Sequence, residues 1–398
     1  MLEVVGLLAA FIGIFILRAK EIEFYIAITI AALIIGLTSG EPLTIIFEVM
    51  ISTLSKYNTW NLVTAVVLIT VLGYALKETG LMVKFIEGLS KILPGNIMLA
   101  TIPAIFGFLS MPGGALMSAP FIEPEANKLG LDPEAKTYCN VWFRHLLYWI
   151  NPITSSTIMA VTLSGFEVNR WLRVQSPLFF VMIAIGFLAS RGFIKTPKKN
   201  GSLREITLDS MKGGVPIIVT VALTLLGFPI WGSLFVGIII AMLLGNVKMG
   251  QGLKMFRNGV KWDLALSIVS MLYLRDMIEA TGSVSSLFEI IIASGVPILA
   301  IAIVIPLFIG AISGSPAMGV GIAFPVLLPF FGEPNINLTS IIFLGITCTY
   351  ITSPLHLCLV LSNSYFKSDL NKVIKYLMPS SFGLYLVGLA YHMFLYMF

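Results

Sequence analysis

The chain has 398 residues, of which 57% are hydrophobic and 11% are charged, and its mean hydropathy is +0.95. A soluble domain carries about 25% charged residues, so this composition excludes one and indicates a polytopic membrane protein surrounded by the lipid bilayer. The net charge of +5 is scattered over short loops, which argues against a nucleic-acid partner and favours a role in membrane orientation.

Ten stretches are apolar enough to cross a bilayer, which takes about 20 residues of α-helix. The uninterrupted spans of the first half are predicted at residues 2–17, 24–39, 60–76 and 171–193. Residues 80–93 are amphipathic, so we expect them to lie at the membrane interface as an arm.

Two segments of the first half are interrupted by polar residues, Gly and Pro. Residues 97–122 contain Ser110-Met111-Pro112-Gly113-Gly114 at their centre, and each side is then only about 12 residues long, which predicts a re-entrant hairpin. Residues 137–164 are interrupted at 151–156, where Pro152 removes a helix amide and hydroxyls can bond the freed carbonyls. We expect this span to be broken at mid-membrane.

The second half repeats this order. Spans are predicted at 215–226, 229–244, 262–278 and 373–398, an arm at 284–294, a hairpin at 297–330 and a broken span at 338–361. Matching residues lie 202 or 203 positions apart, which indicates an internal duplication. The matches are Thr79-Gly80 with Thr281-Gly282, Pro103 with Pro306, Gly107 with Gly310, Ser110 with Ser313, and Pro152 with Pro354. Arg275, Asp276 and Glu279 are predicted to form a local ion-pair cluster.

Five crossings per half are an odd number, so the two halves must have opposite orientations in the membrane. With both termini external, twenty Lys and Arg residues fall on the cytoplasmic side and three outside, as the positive-inside rule requires. The predicted fold is therefore an all-α polytopic protein of the cell membrane, made of two inverted repeats of five transmembrane helices. The repeats cover 1–194 and 213–398, and a cytoplasmic linker covers 195–212.

Paired hairpins and paired broken helices in inverted repeats are typical of secondary transporters, whose sites lie at the midplane. Half-helix N-termini there favour anions, and unwound carbonyls favour cations. The predicted substrate residues are Ser110, Pro112, Gly113, Gly114, Asn140, Arg144, Tyr148, Asn151, Thr154, Ser313, Ser315, Pro316, Thr352, Ser353 and His356. No cofactor is expected except a sodium ion, with Ser110, Asn151, Ser155, Ser313, Ser315 and Thr352 as its ligands.

Arg144 stands out because a guanidinium within a span is costly and always charged. Asn140, Arg144, Tyr148 and Asn151 are spaced to share one face of an α-helix. One interpretation is a clamp for a carboxylate or phosphate. The other is a snorkelling anchor, because Arg144 lies about 10 Å from the cytoplasmic end of its span.

Histidine offers a second route to coupling. His356 lies two residues beyond Pro354 and His145 lies beside Arg144, so either imidazole could take part in proton coupling or simply bond a freed carbonyl. The three cysteines, Cys139, Cys348 and Cys358, fall in apolar spans without metal-type spacing, which predicts packing roles rather than a disulfide or zinc site.

At this level of architecture the chain resembles the ion-transporter superfamily. The superfamily includes divalent-anion/sodium symporters, the large membrane subunit of tripartite carboxylate transporters and gluconate-type permeases. The closest resemblance is to an uncharacterised family of prokaryotic integral membrane proteins. Hairpin tips of the divalent-anion family read Ser-Asn-Thr, whereas here they read Ser110-Met111-Pro112 and Ser313-Gly314-Ser315.

The resemblance implies a homodimeric elevator. We expect it to move a small, carboxylate-like organic anion, coupled to sodium or protons. A scaffold would comprise about 1–93 and 213–294, and a moving transport part about 97–193 and 297–398. The alternatives are a flippase for a lipid-linked or phosphate-bearing substrate, or a sodium/proton antiporter. No catalytic constellation or repeated filter motif is present in the sequence, so an enzyme or a channel is not expected.

Overall fold

The structure of the protein is a computed structural model, which describes residues 2–20, 22–90, 93–108, 114–190, 211–283, 295–332 and 334–397. Every regular element in these ranges is a helix, which confirms the all-α polytopic membrane fold. Three sequence predictions lie outside the described residues: the first hairpin tip with Ser110, Pro112 and Gly113, most of the linker 195–212, and the arm at 284–294.

The first half contains ten α-helices among its described residues, and one short 3₁₀-helix. The α-helices are α1 (Leu2–Ala19), α2 (Phe24–Thr38), α3 (Thr44–Ser55), α4 (Tyr57–Glu78), α5 (Leu81–Ser90), α6 (Gly95–Phe108), α7 (Gly114–Lys128), α8 (Pro133–Trp142), α9 (Ser155–Ser164) and α10 (Val168–Ser190). The 3₁₀-helix, Phe143–Trp149, follows α8 directly.

The described part of the second half has the same order. Its α-helices are α11 (Val215–Leu225), α12 (Ile230–Leu244), α13 (Met249–Gly259), α14 (Trp262–Thr281), α15 (Ile298–Ser313), α16 (Pro316–Leu327), α17 (Ile336–Thr352), α18 (Leu357–Phe366) and α19 (Leu370–Met397). A 3₁₀-helix, Leu328–Phe331, follows α16 directly. Helices α6/α7 and α15/α16 are the arms of the two predicted hairpins. The two broken spans are α8–α9 and α17–α18.

Helices α3 and α13 are absent from the sequence prediction. Both occupy the same place, before the third span of their half, and they have 12 and 11 residues. At about 1.5 Å per residue such helices reach roughly half of the hydrocarbon core, so a search for span-length apolar segments passes over them. They pack on the scaffold helices of the opposite half: α3 contacts α14, and α13 contacts α4.

Hydrogen bonds reproduce the duplication. Asn151 donates to the carbonyl of Phe108 at the end of α6, and Ser353 donates to the carbonyl of Ala311 near the end of α15. The same two side chains accept from the backbone amide two residues ahead, at 3.0 Å in the first half and 3.1 Å in the second. Each broken span is therefore tied to its own hairpin by an equivalent polar turn.

Contacts between the halves are reciprocal. Helix α2 packs against α14 as α12 packs against α4, and α9 packs against α16 as α18 packs against α7. This reciprocity is the packing expected of two halves related by a pseudo-two-fold axis.

Helix packing divides the described residues into two groups. Helices α1–α5 and α11–α14 contact one another, as do α6–α10 and α15–α19. Contact between the groups is concentrated at two pairs, α4 with α9 and α14 with α16. The boundary coincides with the predicted limits of scaffold and transport part, whose relative motion stays a prediction.

Four described segments are long and apolar enough to span a membrane by length and composition: Tyr57–Glu78, Val168–Ser190, Ile336–Phe366 and Leu370–Met397. The remaining apolar helices are shorter, at 10–17 residues, so the count of ten crossings stays a prediction. The predicted ion-pair cluster on α14 is wrong. Asp276 instead accepts from Lys56 Nζ at 2.8 Å and from Thr53 Oγ1 at 2.7 Å, because its side chain faces α3.

Candidate functional site

The candidate site lies where the two broken spans meet the hairpin arms. Asp132 precedes α8 and caps it by accepting from the Ala135 amide, and Pro133 occupies the first position of the helix. The chain then tightens into the 3₁₀-helix before Thr154 caps α9 by accepting from the Thr157 amide. The break thus places two helix ends and an irregular segment inside the protein, where polar groups can meet a substrate.

Arg144 is buried on this 3₁₀-helix, with 4% of its surface exposed. Its guanidinium lies against Gly114, the first residue of α7, where a side chain of any kind would overlap Nη2. Its backbone carbonyl lies against Gly107 of α6 so closely that a Cβ atom there would also overlap. Arg144 therefore contacts both arms of the first hairpin. Because the side chain is buried between protein groups, the structure does not support the snorkelling interpretation, which requires the side chain to reach the membrane surface.

Asn140 binds the same turn of α7. Its Oδ1 accepts from Ser118 at 2.6 Å, and its Nδ2 donates to the Ala115 carbonyl at 3.0 Å and to Ser362 Oγ at 2.8 Å. Asn140 therefore joins the first hairpin to α18 of the other half. The structure brings it together with Arg144 at the start of α7.

The single helical face predicted from Asn140 to Asn151 is interrupted, because residues 143–149 turn with 3₁₀ rather than α periodicity. Tyr148 interacts with Tyr350 and lies near Arg144. Asn151 faces the end of α6, where its side chain bonds Phe108. Thr154 points into its own cap, at 2.8 Å from Thr157 Oγ1.

The second hairpin tip is described in full. Gly314 takes a φ of +65°, a left-handed conformation that suits glycine, and Ser315 and Pro316 then start α16. Ser313 Oγ donates to the Ser315 carbonyl at 3.0 Å, which closes the tip on itself. In the facing broken span Thr352 donates to the Thr349 carbonyl, and Ser353 bonds the hairpin.

Of the predicted sodium ligands, Ser155 and Ser315 come together. They line one cavity of about 30 Å³ between the transport and scaffold groups, along with Val66, Ser267 and Met318 among others. Such a cavity has room for about one water or one small ion. The hydroxyls of Ser313 and Thr352 and the amide of Asn151 are engaged with backbone groups instead, and Ser110 lies outside the described residues.

Several residues of the site were not singled out from the sequence. The Tyr350 and His356 rings pack at a tilt of 43° with centroids 4.0 Å apart, and the His145 ring meets those of Tyr148 and Tyr350 edge to face, with centroids 4.9 and 5.7 Å apart. Cys358, assigned to packing, lies close to both histidines. The signal for Tyr350 was its position 202 residues after Tyr148, the offset that relates the two broken spans.

Comparison with known proteins agrees with this architecture. The fold is similar to that of the YdaH transporter of Alcanivorax borkumensis, whose crystal structure is described as revealing an unusual topology. The TM-score is 0.67 at 13% sequence identity, and the match covers 93% of this chain and 97% of the other. No curated protein matches the sequence. The model of the family described as "Protein of unknown function (DUF401)" matches residues 2–394, and the chain therefore belongs to the DUF401 family.

Proposed function

We propose that the protein is a secondary active transporter that moves a small carboxylate-like organic anion. The observation that carries this proposal is the buried Arg144 guanidinium lying against the first residue of α7. The N-terminus of a helix carries about half a positive charge, and the guanidinium adds a whole one. Two positive groups close together inside the protein favour an anion beside them.

The fold supports the same proposal. The similar YdaH protein is described as a transporter, and reciprocal packing of two repeated halves suits alternating access around a central site. Assignment to the ion-transporter superfamily, beyond a transporter in general, rests on the paired hairpins and the paired broken spans.

Sodium is our first choice of coupling ion. Ser155 and Ser315 offer neutral oxygen ligands in a cavity of ion size, at the N-terminal ends of helices α9 and α16, which belong to opposite halves. Hard cations prefer such oxygen ligands, and a site without a carboxylate holds a monovalent ion without leaving excess negative charge. Proton coupling through the buried histidines is the alternative, and a comparison of ligand binding in sodium and in choline distinguishes the two.

The proposal predicts ligand-dependent thermal stability. The purified protein is heated with a panel of mono- and dicarboxylates, sugar acids, inorganic phosphate and phosphate esters, each with sodium and with choline as the counter-ion. We expect a carboxylate to raise Tm only when sodium is present, because sodium would complete the coupled site. A ligand at 100 times its Kd adds about 2.7 kcal/mol to the free energy of unfolding. Equal stabilisation in choline would reject sodium coupling, and stabilisation by phosphate esters alone would favour the flippase interpretation.

We further propose that transport follows an elevator motion in a homodimer. Helices α6–α10 and α15–α19 would move as one unit against α1–α5 and α11–α14, because contact between the two groups is concentrated at α4 with α9 and α14 with α16. Small contact areas between packed groups favour relative motion.

The orientation of the chain gives a further prediction. A cysteine is placed at each of two exposed residues, Lys254 on α13 and Asn58 on α4. With a membrane-impermeant maleimide, we expect the cysteine at 254 to react only from the cytoplasm and the cysteine at 58 only from outside. The experiment compares intact cells with inverted vesicles. Labelling of both positions from the same side would contradict external termini and the inverted orientation of the repeats.

A further inference from the structure

Three potential metal ligands converge beside the candidate anion site. His145 and His356 each offer a ring nitrogen and Cys358 offers its sulfur, and these atoms all lie within 4.8 Å of one another. Both histidines are almost fully buried, at 1% and 0% exposure, and their rings meet edge to face with centroids 4.8 Å apart. The residues come from the two broken spans, so the cluster forms only when the halves pack together.

Hydrogen bonds fix the tautomer of each imidazole. Nδ1 of His145 lies 2.7 Å from the Val141 carbonyl, and Nδ1 of His356 lies 3.2 Å from the Ile351 carbonyl. Because a carbonyl only accepts, each Nδ1 must carry the proton and each Nε2 must present a lone pair. Metal-binding histidines commonly have this arrangement, in which the second ring nitrogen donates to a backbone carbonyl.

Neither Nε2 has a hydrogen-bond partner among the residues that the structure describes. Leaving a buried acceptor unsatisfied costs about 1–3 kcal/mol, and here two such atoms belong to rings that meet edge to face. A bound cation would satisfy both lone pairs at once. Cys358 is partly exposed at the start of α18, which offers a path by which an ion can enter.

Ligand chemistry and charge select the ion. Two imidazoles and a thiolate are soft ligands, which suit Cu(I) and Zn(II) rather than sodium, magnesium or calcium. Binding releases the thiol proton of Cys358 to solvent. A monovalent ion with the resulting thiolate makes a neutral site, whereas zinc would leave a net positive charge. Because the Arg144 guanidinium interacts electrostatically with both histidines, the interior favours the neutral complex.

We propose that His145, His356 and Cys358 form a three-coordinate site for one Cu(I) ion. Metal–nitrogen and metal–sulfur bonds of about 2.0–2.3 Å put the ligand atoms about 3.5–3.8 Å apart in a trigonal site. Side-chain rotations that move the ligand atoms together by about 1 Å would therefore complete the site. The ion would bridge the two broken spans and stabilise their packing.

The equivalent positions of the other copy have different chemistry. His145, His356 and Cys358 correspond to Thr347, Thr154 and Ser156 at the offset of 202. These residues carry hydroxyl groups, and Thr154 Oγ1 lies 3.3 Å from Ser156 Oγ. The soft ligands are therefore confined to one of two pseudo-symmetric positions, which supplies a matched set of controls within the same chain.

The test is metal titration of the full-length protein in detergent without oxygen. Cu(I) is added against a competing chelator, and Ag(I) serves as a redox-silent probe of the same ligands. We expect one Cu(I) or Ag(I) per chain, a rise in Tm on binding, and nitrogen and sulfur neighbours in the X-ray absorption spectrum. Cys358→Ala is expected to weaken binding at least about 10- to 100-fold, since loss of even an outer-shell partner has that effect.

Cys139→Ala and Ser156→Ala are the controls, and both should bind Cu(I) like the parent. Their Tm values without metal, compared with that of Cys358→Ala, separate loss of binding from loss of folding. His356→Gln should repeat the effect of Cys358→Ala, with fewer nitrogen neighbours in the spectrum. Equal Cu(I) affinity of the parent and Cys358→Ala, or a clear preference for Zn(II), would overturn the proposal.

Discussion

Replacement of Arg144 by lysine is expected to abolish anion transport and the anion-induced rise in Tm. The planar guanidinium can bond both oxygens of a carboxylate, whereas an ammonium is a single point charge on a flexible chain. Removing a charged hydrogen-bond partner typically costs about 2–5 kcal/mol of binding. The buried position of Arg144 against Gly114 leaves no room for solvent to replace the lost bonds.

The control for this substitution is Arg173→Lys, because Arg173 is an exposed arginine on α10. Tm without ligand, measured for both variants and the parent, shows whether the fold survives. Transport in liposomes and the thermal shift with the best carboxylate are then compared. If Arg144→Lys binds and transports like the parent, the guanidinium has a structural role and the anion proposal loses the observation that carries it.

A cross-link between α14 and α16 is expected to stop transport reversibly. Met271 and Gly321 meet at this boundary, where a Cβ atom on Gly321 would overlap the Met271 sulfur. The double variant Met271→Cys/Gly321→Cys therefore places two thiols within reach of a short, reducible bifunctional thiol reagent. Because an elevator must slide along this contact, joining the two helices should reduce transport to background until a reducing agent is added.

A second cross-link within the transport group serves as the control. Thr137 Oγ1 and Ser368 Oγ lie 2.8 Å apart, and both residues belong to the group proposed to move as one body. Linking Thr137→Cys to Ser368→Cys should leave transport largely intact. Full activity of the Met271–Gly321 cross-linked protein, or equal loss in both, would reject sliding at the α14–α16 boundary. The parent protein treated with the same reagent corrects for reaction at native cysteines.

Span-length apolar segments and their Gly/Pro breaks were enough to predict the helical architecture and its repeated order. The break at Pro152 occurs where the pattern placed it, and the glycines Gly80 and Gly282, matched at the repeat offset, both have positive φ. These features are local, because proline removes an amide and glycine permits left-handed backbone wherever they stand. Short helices such as α3 could not be found in this way, because a 12-residue apolar segment does not indicate whether it enters the membrane, turns back within it or lies along its surface.

The site was harder to predict than the fold. Periodicity placed Arg144 on an α-helical face, but the chain changes to 3₁₀ geometry at Phe143 and rotates the following side chains. Tyr148 meets Tyr350 and His145 meets His356, each about 200 positions away in the sequence. No local pattern in the sequence indicates these partners. Tertiary packing decides those contacts.

The meeting of Tyr148 with Tyr350 has an evolutionary consequence. An ancestor of half this length, assembled as an antiparallel pair, would bring a single tyrosine against its own copy on the dyad. Any charged residue beside that tyrosine would then occur twice or not at all. Today Arg144 has Ile346 as its counterpart, so one guanidinium lies near the dyad without a second to repel it. Fusion of two such copies into one chain would make an odd charge at the centre attainable.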